Sequence, residues 1–239
     1  MLLPMCGRFS LTSRGRTRIA EVEEQVVEID HPVPRFNVAP GQSAAVIRHG
    51  NAGVTGAFLR WGLIPSWSQD PRIAFQCVNA RGETVATRPA FREAFRHRRC
   101  AIPVDGFFEW ERSGKRPLPW RFVRPDRSVF LVAGLWETWR PPGEEVGLET
   151  FTVVTTSANA DMESIHDRMP VLLNPGALRV WLDPTSTPVS LQSVIQPSPM
   201  ATLVRYRVST IVNSARNDGP ACIEPFDEPP SAEGFLPLG

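Results

Sequence analysis

Two titratable residues, Glu109 and His166, stand among neighbours that suggest acid–base chemistry. Glu109 is a carboxylate inside the apolar run Phe107–Trp110. It either points to solvent in ordinary strand alternation or lies in a pocket, where burial would raise its pKa and suit it to proton transfer. His166 lies between an apolar residue and Asp167, a carboxylate that could fix the tautomer of the ring. A single histidine is more often structural than catalytic, so both interpretations stay open for each residue.

Cys6 follows Met5 in the segment Met-Cys-Gly-Arg-Phe-Ser, which reads like a protein start although four residues precede it. Either translation begins at Met5 and these four residues are not part of the protein, or they are a leader that is removed. The two interpretations imply different chemistry. An N-terminal cysteine offers an amine and a thiol on adjacent carbons, whereas an internal cysteine offers the thiol alone.

Two further segments carry groups that are typical of nucleic-acid binding. Asn79 and Arg81 are two residues apart, so on an extended chain they share one face and could hold a sugar and its phosphate. They would equally suit a loop that is tied down by hydrogen bonds. Trp61 and Trp67 surround a loop with glycine and proline. They are either core residues or an exposed platform on which a base can stack.

The composition excludes several classes of protein. With 239 residues, 42% hydrophobic residues and a net charge of +1, the chain is an ordinary globular protein without a strongly basic field. No apolar run is long enough to span a bilayer. The four cysteines form neither a disulfide framework nor a zinc-binding spacing with the four histidines. We therefore expect a cytoplasmic protein with reduced thiols, no membrane contact, no metal and no cofactor.

The basic residues are nearly all arginine, since Lys115 is the only lysine among 26 basic residues. A codon bias explains this most simply, so an arginine is informative only through its neighbours. Arg88, Arg92, Arg96 and Arg99 form a stripe along a predicted helix. We interpret the stripe as a solvated face, with a phosphate track as the alternative.

Hydrophobic periodicity predicts an α+β fold of one domain on a mostly antiparallel, curved, barrel-like sheet with peripheral helices. Helices are predicted over 17–28, from Pro89 to Arg98, from Asn174-Pro175 to Leu182, and over Val189–Ile195. Strands are predicted for the short apolar runs Ala44–Ile47, Phe58–Trp61, Cys100–Ile102, Phe107–Trp110, Trp120–Val123, Val129–Leu135, Phe151–Thr156 and Arg205–Val208. Arg35–Pro40 is predicted to be extended.

Six ordered motifs closely resemble the SRAP family, the SOS response-associated peptidase-like proteins that shield abasic sites in single-stranded DNA. They are Cys6–Phe9, Arg35–Pro40, Trp61–Trp67, Asn79–Arg81, Ile102–Trp110 and Ile165–Pro170. A weaker similarity continues to Val212-Asn213 and Asn217. The resemblance implies that removal of the initiator methionine leaves an N-terminal cysteine. Its amine would attack the aldehyde of the ring-opened sugar to give a Schiff base, and its thiol would close a stable thiazolidine.

The resemblance also implies roles for individual residues. Glu109 would shuttle protons, and His166 would assist ring opening and Schiff-base interconversion. Trp67 would act as a wedge that stacks on bases, although this chain has Ser68 where the family often has a second aromatic residue. The remaining matched positions would hold the sugar (Asn79), line the pocket (Asn37) or contact phosphates (Arg8, Arg81 and Thr155).

The same resemblance divides the chain into a leader of residues 1–5, an SRAP domain of residues 6–225 and a flexible proline-rich tail of residues 226–239. We favour Met5 as the true start, and cleavage of the Met5–Cys6 bond, by the protein itself or by a protease, is the alternative. The expected protein is a monomer that binds single-stranded DNA with abasic sites, associates with the nucleoid when it acts on DNA, and has crosslinking, lyase-like and autoproteolytic activity.

Two other functions remain open at this stage. One is a thiol peptidase or amidase of the N-terminal nucleophile type that uses Cys6 and His166. The other is a non-covalent reader of single-stranded or modified DNA, for which Trp67 and the arginines would suffice. Borohydride trapping separates these functions from the crosslinking one, because only a Schiff base is reduced to a permanent crosslink.

Overall fold

The computed structural model describes residues 7–13, 15–22, 25–31, 33–50, 53–111 and 117–226, with the backbone alone at 15–22, 25–27 and 30–31. The predicted leader, Cys6 and the predicted tail beyond Phe226 lie outside the described residues. The first strands are β1 (Phe9–Leu11), β2 (Gly15–Val22), β3 (Gln25–His31), β4 (Arg35–Val38), β5 (Ser43–Gly50), β6 (Gly53–Trp61) and β7 (Asn79–Arg81). They are followed by α1 (Arg92–His97), β8 (Arg99–Val104), β9 (Gly106–Glu111), β10 (Leu118–Val123), β11 (Phe130–Trp139), β12 (Leu148–Ser157), α2 (Ala160–Glu163), β13 (Arg168–Pro170), β14 (Leu172–Leu173), α3 (Pro175–Leu182), α4 (Pro188–Val194) and β15 (Val204–Arg207).

The strands form one antiparallel sheet, one mixed sheet and a separate antiparallel pair, which confirms the α+β class and the predominantly antiparallel pairing. The smaller sheet has the order β15-β10-β9-β1-β4. The larger sheet has the order β13-β12-β6-β5-β8-β11-β14, with β7 added beside β12, and it is curved so that β11 also pairs with β12. Among the described pairings only those of β12 with β6 and with β7 are parallel. Strands β2 and β3 form a separate antiparallel pair.

Aromatic side chains fill the space between the two sheets. Phe9, Trp61, Phe107 and Phe151 are buried there together with aliphatic residues of β5, β6, β8 and β11. The rings of Phe107 and Phe122 stack with their centroids 5.1 Å apart. Because β1 and β9 contribute their inward side chains to this core, the positions next to Phe9 and Phe107 are fixed relative to the larger sheet.

Helices α1, α3 and α4 pack on one face of the larger sheet, and α3 and α4 begin at residues that the sequence marks. Asn174 caps α3, since its Oδ1 accepts a hydrogen bond of 2.9 Å from the Ala177 N–H, and Pro175 occupies the first turn. Thr187 caps α4 in the same way. The indole of Trp181, on α3, donates to the Cys100 carbonyl at 2.9 Å, which ties α3 to β8. Both predicted helices are thus confirmed.

Two predicted helices differ from the structure. Residues 17–28 were predicted to be a surface helix, but the described residues of this range, 17–22 and 25–28, lie on the paired strands β2 and β3. The β-branched residues of this segment favour a strand, and pairing between two such runs outweighs a helical spacing of the apolar positions. The helix predicted from Pro89 begins only at Arg92, after a turn. Arg99 is not part of an exposed stripe, because it lies on β8 and is buried.

Candidate active site

Glu109 is buried in the middle of the smaller sheet, with only 2% of its surface exposed. Its strand, β9, pairs with β10 on one side and with β1 on the other. The register opposes Phe9 to Phe107, and continued by two residues it would bring Gly7 opposite Glu109. The burial of Glu109 contradicts the solvent-facing interpretation, while its role in proton transfer stays a prediction.

The pairing of β1 with β9 extends beyond Phe9. The Phe108 N–H donates to the Arg8 carbonyl at 3.0 Å, so the pairing continues to the residue next to Gly7.

Arg8 and Asn37 form a buried pair that holds a segment near the C-terminus, residues 212–217. The Arg8 guanidinium donates to Asn37 Oδ1 at 3.0 Å and to the Val212 carbonyl at 2.7 Å. The Asn37 amide donates to the carbonyls of Val212, Ser214 and Asn217. Burial lowers the pKa of the Arg8 guanidinium. This geometry positions β1 and β4 against the segment, while the predicted phosphate contact of Arg8 stays a prediction.

A second group of the predicted residues meets at the end of β12. Parallel pairing with β7 places Val153 beside Asn79 and Thr155 beside Arg81. On the other side of β12, antiparallel pairing places Thr155 beside Pro170 of β13. Thr155 itself is fully buried, so its contact with a phosphate would require a shift of its surroundings.

The sequence interpretation assigned no role to Arg168, although the residue belongs to the same motif as His166. Its Nη2 donates to the Thr155 carbonyl at 2.9 Å, and its guanidinium makes an ion pair with Glu83. Arg81, which is exposed, lies on the other side of β12. Two arginines thus flank Thr155. The position of Arg168 two residues after the histidine was the signal that could have identified it.

The strands that carry the two groups of residues meet around a cavity of about 20 Å³, room for about one water molecule. It lies between β1, β9, β12 and β13. Its lining includes Arg8, Phe107, Val153 and Pro170. Phe107 is two residues from Glu109 on the same strand face, and Val153 is the neighbour of Asn79. The fold therefore brings the Glu109 strand and the Asn79 strand to one interior region.

His166 follows α2 and is oriented by backbone hydrogen bonds. Its N–H donates to the Met162 carbonyl at 3.0 Å, and its side chain is 10% exposed. Nδ1 accepts from the Arg168 N–H at 3.1 Å and also lies 2.9 Å from Asp167 Oδ1. These two contacts need different states of Nδ1. It accepts from Arg168 when it carries no proton, in which case the proton of the neutral ring is on Nε2, and it donates to Asp167 only when it carries a proton.

Trp67 is an exposed aromatic residue on a loop with a rigid base. Its surface is 57% exposed, while Trp61 is 1% exposed and donates its indole N–H to the Val78 carbonyl. The adjacent Ser68 is buried, and its carbonyl accepts from the Trp139 indole at 2.7 Å. Trp61 is therefore a core residue, and Trp67 alone of the two presents its ring to solvent.

Phe75 is a second exposed aromatic residue that sequence reasoning missed. It lies in a short 3-10 helix, Pro71–Gln76, which follows the Trp67 loop, and 71% of its surface is exposed. Ala74 of the same helix packs closely on Gly62. A Cβ atom added at Gly62 would lie 3.1 Å from the Ala74 carbonyl oxygen. Asp70 followed by Pro71 is a typical helix start, which could have predicted this helix and from it the outward direction of the Phe75 side chain.

The described residues contain no group of three or more histidine, cysteine or acidic side chains that could hold a metal ion. In that part of the chain no helix has the length and apolar character needed to cross a membrane. Cys77, Cys100 and Cys222 are all buried with free thiols.

Comparison with known proteins places this arrangement in context. The family model of SOS response associated peptidase (SRAP) matches residues 5–215. Abasic site processing protein YoqW of Bacillus subtilis (strain 168) is 40% identical over 223 residues, which cover 92% of this chain and 99% of the relative. Abasic site processing protein HMCES of Xenopus tropicalis is 31% identical over 189 residues, or 70% of this chain and 56% of the relative.

The fold agrees with solved structures. A crystal structure from Bordetella bronchiseptica has a TM-score of 0.70 and 28% identity, covering 85% of this chain and 100% of that one. Another from Bacteroides thetaiotaomicron has a TM-score of 0.73 and 25% identity, covering 80% of this chain and 84% of that one. The ordered motifs, the curved sheet and the family match lead to one conclusion: the chain belongs to the SRAP family.

Proposed function

We propose that the protein processes abasic sites in single-stranded DNA by forming a covalent thiazolidine link through Cys6. The observation that carries this proposal is the burial of Glu109 on β9, the strand that pairs with β1, and β1 begins three residues after Cys6 in the sequence. The interior shields the Glu109 carboxylate from water. Relatives that match up to 92% of the chain are named abasic site processing proteins, which supports the same function.

The proposed reaction needs no cofactor. The neutral amine of Cys6, once it is N-terminal, adds to the C1′ aldehyde of the ring-opened sugar, and loss of water gives an imine. The thiol then adds across the C=N bond, its proton passes to the nitrogen, and a five-membered ring closes. One water molecule is released overall. A terminal amine has a pKa of about 7.7–8, so a useful fraction is neutral in the cell.

Glu109 and His166 would supply the protons for these steps. Once the amine has added to the aldehyde, Glu109 would take a proton from the positively charged nitrogen and deliver it to the departing hydroxide. In its neutral form His166 holds Nδ1 against the Arg168 N–H, which leaves the proton on Nε2 for donation towards the sugar oxygen. Asn79, on the neighbouring strand, would orient the sugar.

Binding of the strand would rest on charge and stacking. Arg81 and Arg168 flank Thr155 and would contact the phosphates beside the lesion, since an arginine fork matches phosphate oxygens. Trp67 and Phe75 are both exposed and would stack on bases. Phe75 would thereby supply the second aromatic surface that Ser68 does not provide.

The test combines intact mass with crosslinking. Purified protein expressed from the native gene should have a mass that begins at Cys6. It should form an adduct with abasic single-stranded DNA that survives denaturing electrophoresis, and undamaged DNA of the same sequence should form none. Cys6→Ser keeps the amine and should be trapped by borohydride, but should form no heat-stable adduct without reductant. An equally stable adduct from Cys6→Ser would contradict the thiazolidine.

Self-cleavage of the Met5–Cys6 bond is a second candidate activity, favoured by the peptidase description of the family model. Cys6 would attack the preceding carbonyl, and water would release the leader. Cys6→Ala should then retain residues 1–5 in its mass spectrum when Met1 is the start of translation. A mature mass for Cys6→Ala would assign removal to another protease or to initiation at Met5.

A further inference from the structure

Glu83 covers the guanidinium of Arg168 with a matched pair of oxygens. Arg168 Nη1 lies 2.5 Å from Glu83 Oε1, and Nη2 donates to Oε2 at 2.8 Å. The side chain of Arg168 is 13% exposed, while that of Glu83 is 51% exposed. The cation is thus recessed, and the carboxylate lies between it and solvent.

Arg168 does not depend on Glu83 for its position. Its Nη2 also donates to the Thr155 carbonyl at 2.9 Å, and it lies 3.3 Å from Thr155 Oγ1. Glu83 belongs to a turn after β7, in which the Thr84 N–H donates to the Arg81 carbonyl at 3.1 Å. A half-exposed side chain on a turn can rotate away without opening the core. The guanidinium would then remain in place with its outward edge uncovered.

A phosphate in the place of the Glu83 carboxylate would meet the same positively charged groups. The pKa of its carboxyl is lowered mainly by the hydrogen bonds from Arg168, with a smaller contribution from Arg81. Carboxylate and phosphate present the same pair of acceptor oxygens to an arginine fork. Glu83 therefore occupies the position at which an anion would bind between the two arginines.

We propose that Glu83 is an internal stand-in for a DNA phosphate, so that a strand must displace it to reach Arg168. This inference rests on the proposed function only in assigning the phosphate site to Arg81 and Arg168. The Glu83 carboxylate weakens the sequence-independent attraction between the protein and any DNA single strand. It thereby favours binding that other contacts support over binding by charge alone, and Glu83 is a specificity-determining residue.

The experiment compares Glu83→Gln with the unmodified chain on a short labelled oligothymidine without a lesion. Anisotropy is measured between about 50 and 200 mM salt. Removing the competing carboxylate should tighten binding about two- to fivefold, the range expected when a half-exposed ion pair no longer opposes it. The slope of log K against log salt should become steeper by up to about 0.7, the value for one further phosphate contact on a single strand.

Two further variants make the result specific. Glu93→Gln makes the same change in net charge at an exposed glutamate on α1, which pairs with Arg92 and Arg96. It should leave both affinity and slope nearly unchanged. In an Arg168→Ala background, Glu83→Gln should no longer tighten binding, because the site that it uncovers is absent.

The outcomes separate this inference from the proposed function. Unchanged or weaker binding by Glu83→Gln, or equal tightening by Glu93→Gln, would overturn the stand-in role. If the unmodified protein crosslinks abasic DNA while Glu83→Gln binds no more tightly, the inference alone fails. If the unmodified protein binds oligothymidine but never crosslinks abasic DNA, the proposed function fails and the Glu83 comparison still decides the inference.

Discussion

Asp105 and Arg121 form an ion pair of 2.8 Å in which the side chains are only 10% and 6% exposed. Every oxygen of the carboxylate is used. Oδ1 also accepts from Ser10 Oγ at 2.6 Å, and Oδ2 accepts from the Thr12 N–H at 2.6 Å. Arg121 in turn donates to the Tyr206 hydroxyl at 2.7 Å. The network joins β1 to β9, β10 and β15, so it fixes the strand from which the N-terminal segment leaves.

Asp105→Ala should therefore destabilise the fold strongly. It leaves the Arg121 guanidinium buried without its carboxylate, which costs about 3–5 kcal/mol of unfolding free energy in buried pairs. Urea denaturation followed by tryptophan fluorescence measures the loss. Asp126→Ala is the matched control, since that carboxylate accepts from Ser128 in an exposed turn and its removal should cost far less. Equal losses for the two variants would show that the network carries no special stability.

Trp67→Ala and Phe75→Ala should each weaken binding to single-stranded DNA while leaving the fold intact. Loss of one stacked base typically costs about 1–3 kcal/mol, and both rings are largely exposed. Anisotropy titration measures the affinity, and thermal melting tests the fold. Phe58→Ala serves as the control, because Phe58 is an exposed phenylalanine on β6 that takes no part in the proposed site. A loss at Phe58 as large as at Trp67 would remove the case for a dedicated stacking surface.

Thiol reagents should modify Cys6 and spare the other cysteines of the native protein. Burial raises the pKa of the Cys77 thiol to about 11 and also raises that of Cys100. The thiolate is the nucleophile, so at a pH of about 8 only about one Cys77 in a thousand would be reactive. Cys222 is buried as well. Iodoacetamide labelling followed by peptide mass spectrometry measures the selectivity, and rapid labelling of Cys77 would contradict it.

The effect of Glu83 on DNA binding should be constant at neutral pH and disappear in acid. Hydrogen bonds from Arg168 lower the pKa of Glu83 below its ordinary value of 4.5. The carboxylate is therefore charged throughout the range from about pH 6 to pH 8, and it is neutralised only as the pH falls through that lowered value. The affinity gap between Glu83→Gln and the unmodified chain should persist above pH 4.5 and close below it. A gap that closes between about pH 6 and pH 8 would point to another group.

Local patterns predicted much of this fold, and contacts distant in sequence explain the rest. The eight predicted strands are apolar runs whose alternation is visible in the sequence, and all eight are present. For Glu109 the same alternation permits both burial and exposure, and the choice follows because the face of β9 that it shares with Phe107 packs against the larger sheet. Similarly, the predicted stripe of arginines ignored that Arg99 donates to the carbonyls of Phe95 and Trp181, which no periodicity reveals.

For the candidate site residues, the motifs supply the residue types, but the exposure of each side chain depends on contacts distant in sequence. Arg81 and Trp67 are exposed, as their predicted contacts require. Arg8 and Asn37 are buried and held by carbonyls of residues 212–217, a segment almost two hundred residues away. Phe75 was missed because its outward direction depends on how its short 3-10 helix packs against Gly62.

The last prediction separates catalysis from binding at Glu109, His166 and Arg81. Glu109→Gln and His166→Ala should slow single-turnover crosslinking at saturating protein by about 10²–10⁴-fold, the usual loss for an acid or base. Their equilibrium affinity for abasic DNA should change little, because the proposed binding contacts remain. Arg81→Ala should do the reverse: it should weaken binding in a salt-dependent way and keep most of the saturated rate. If Glu109→Gln and His166→Ala lost affinity but kept their saturated rate, both residues would be binding groups and not catalysts.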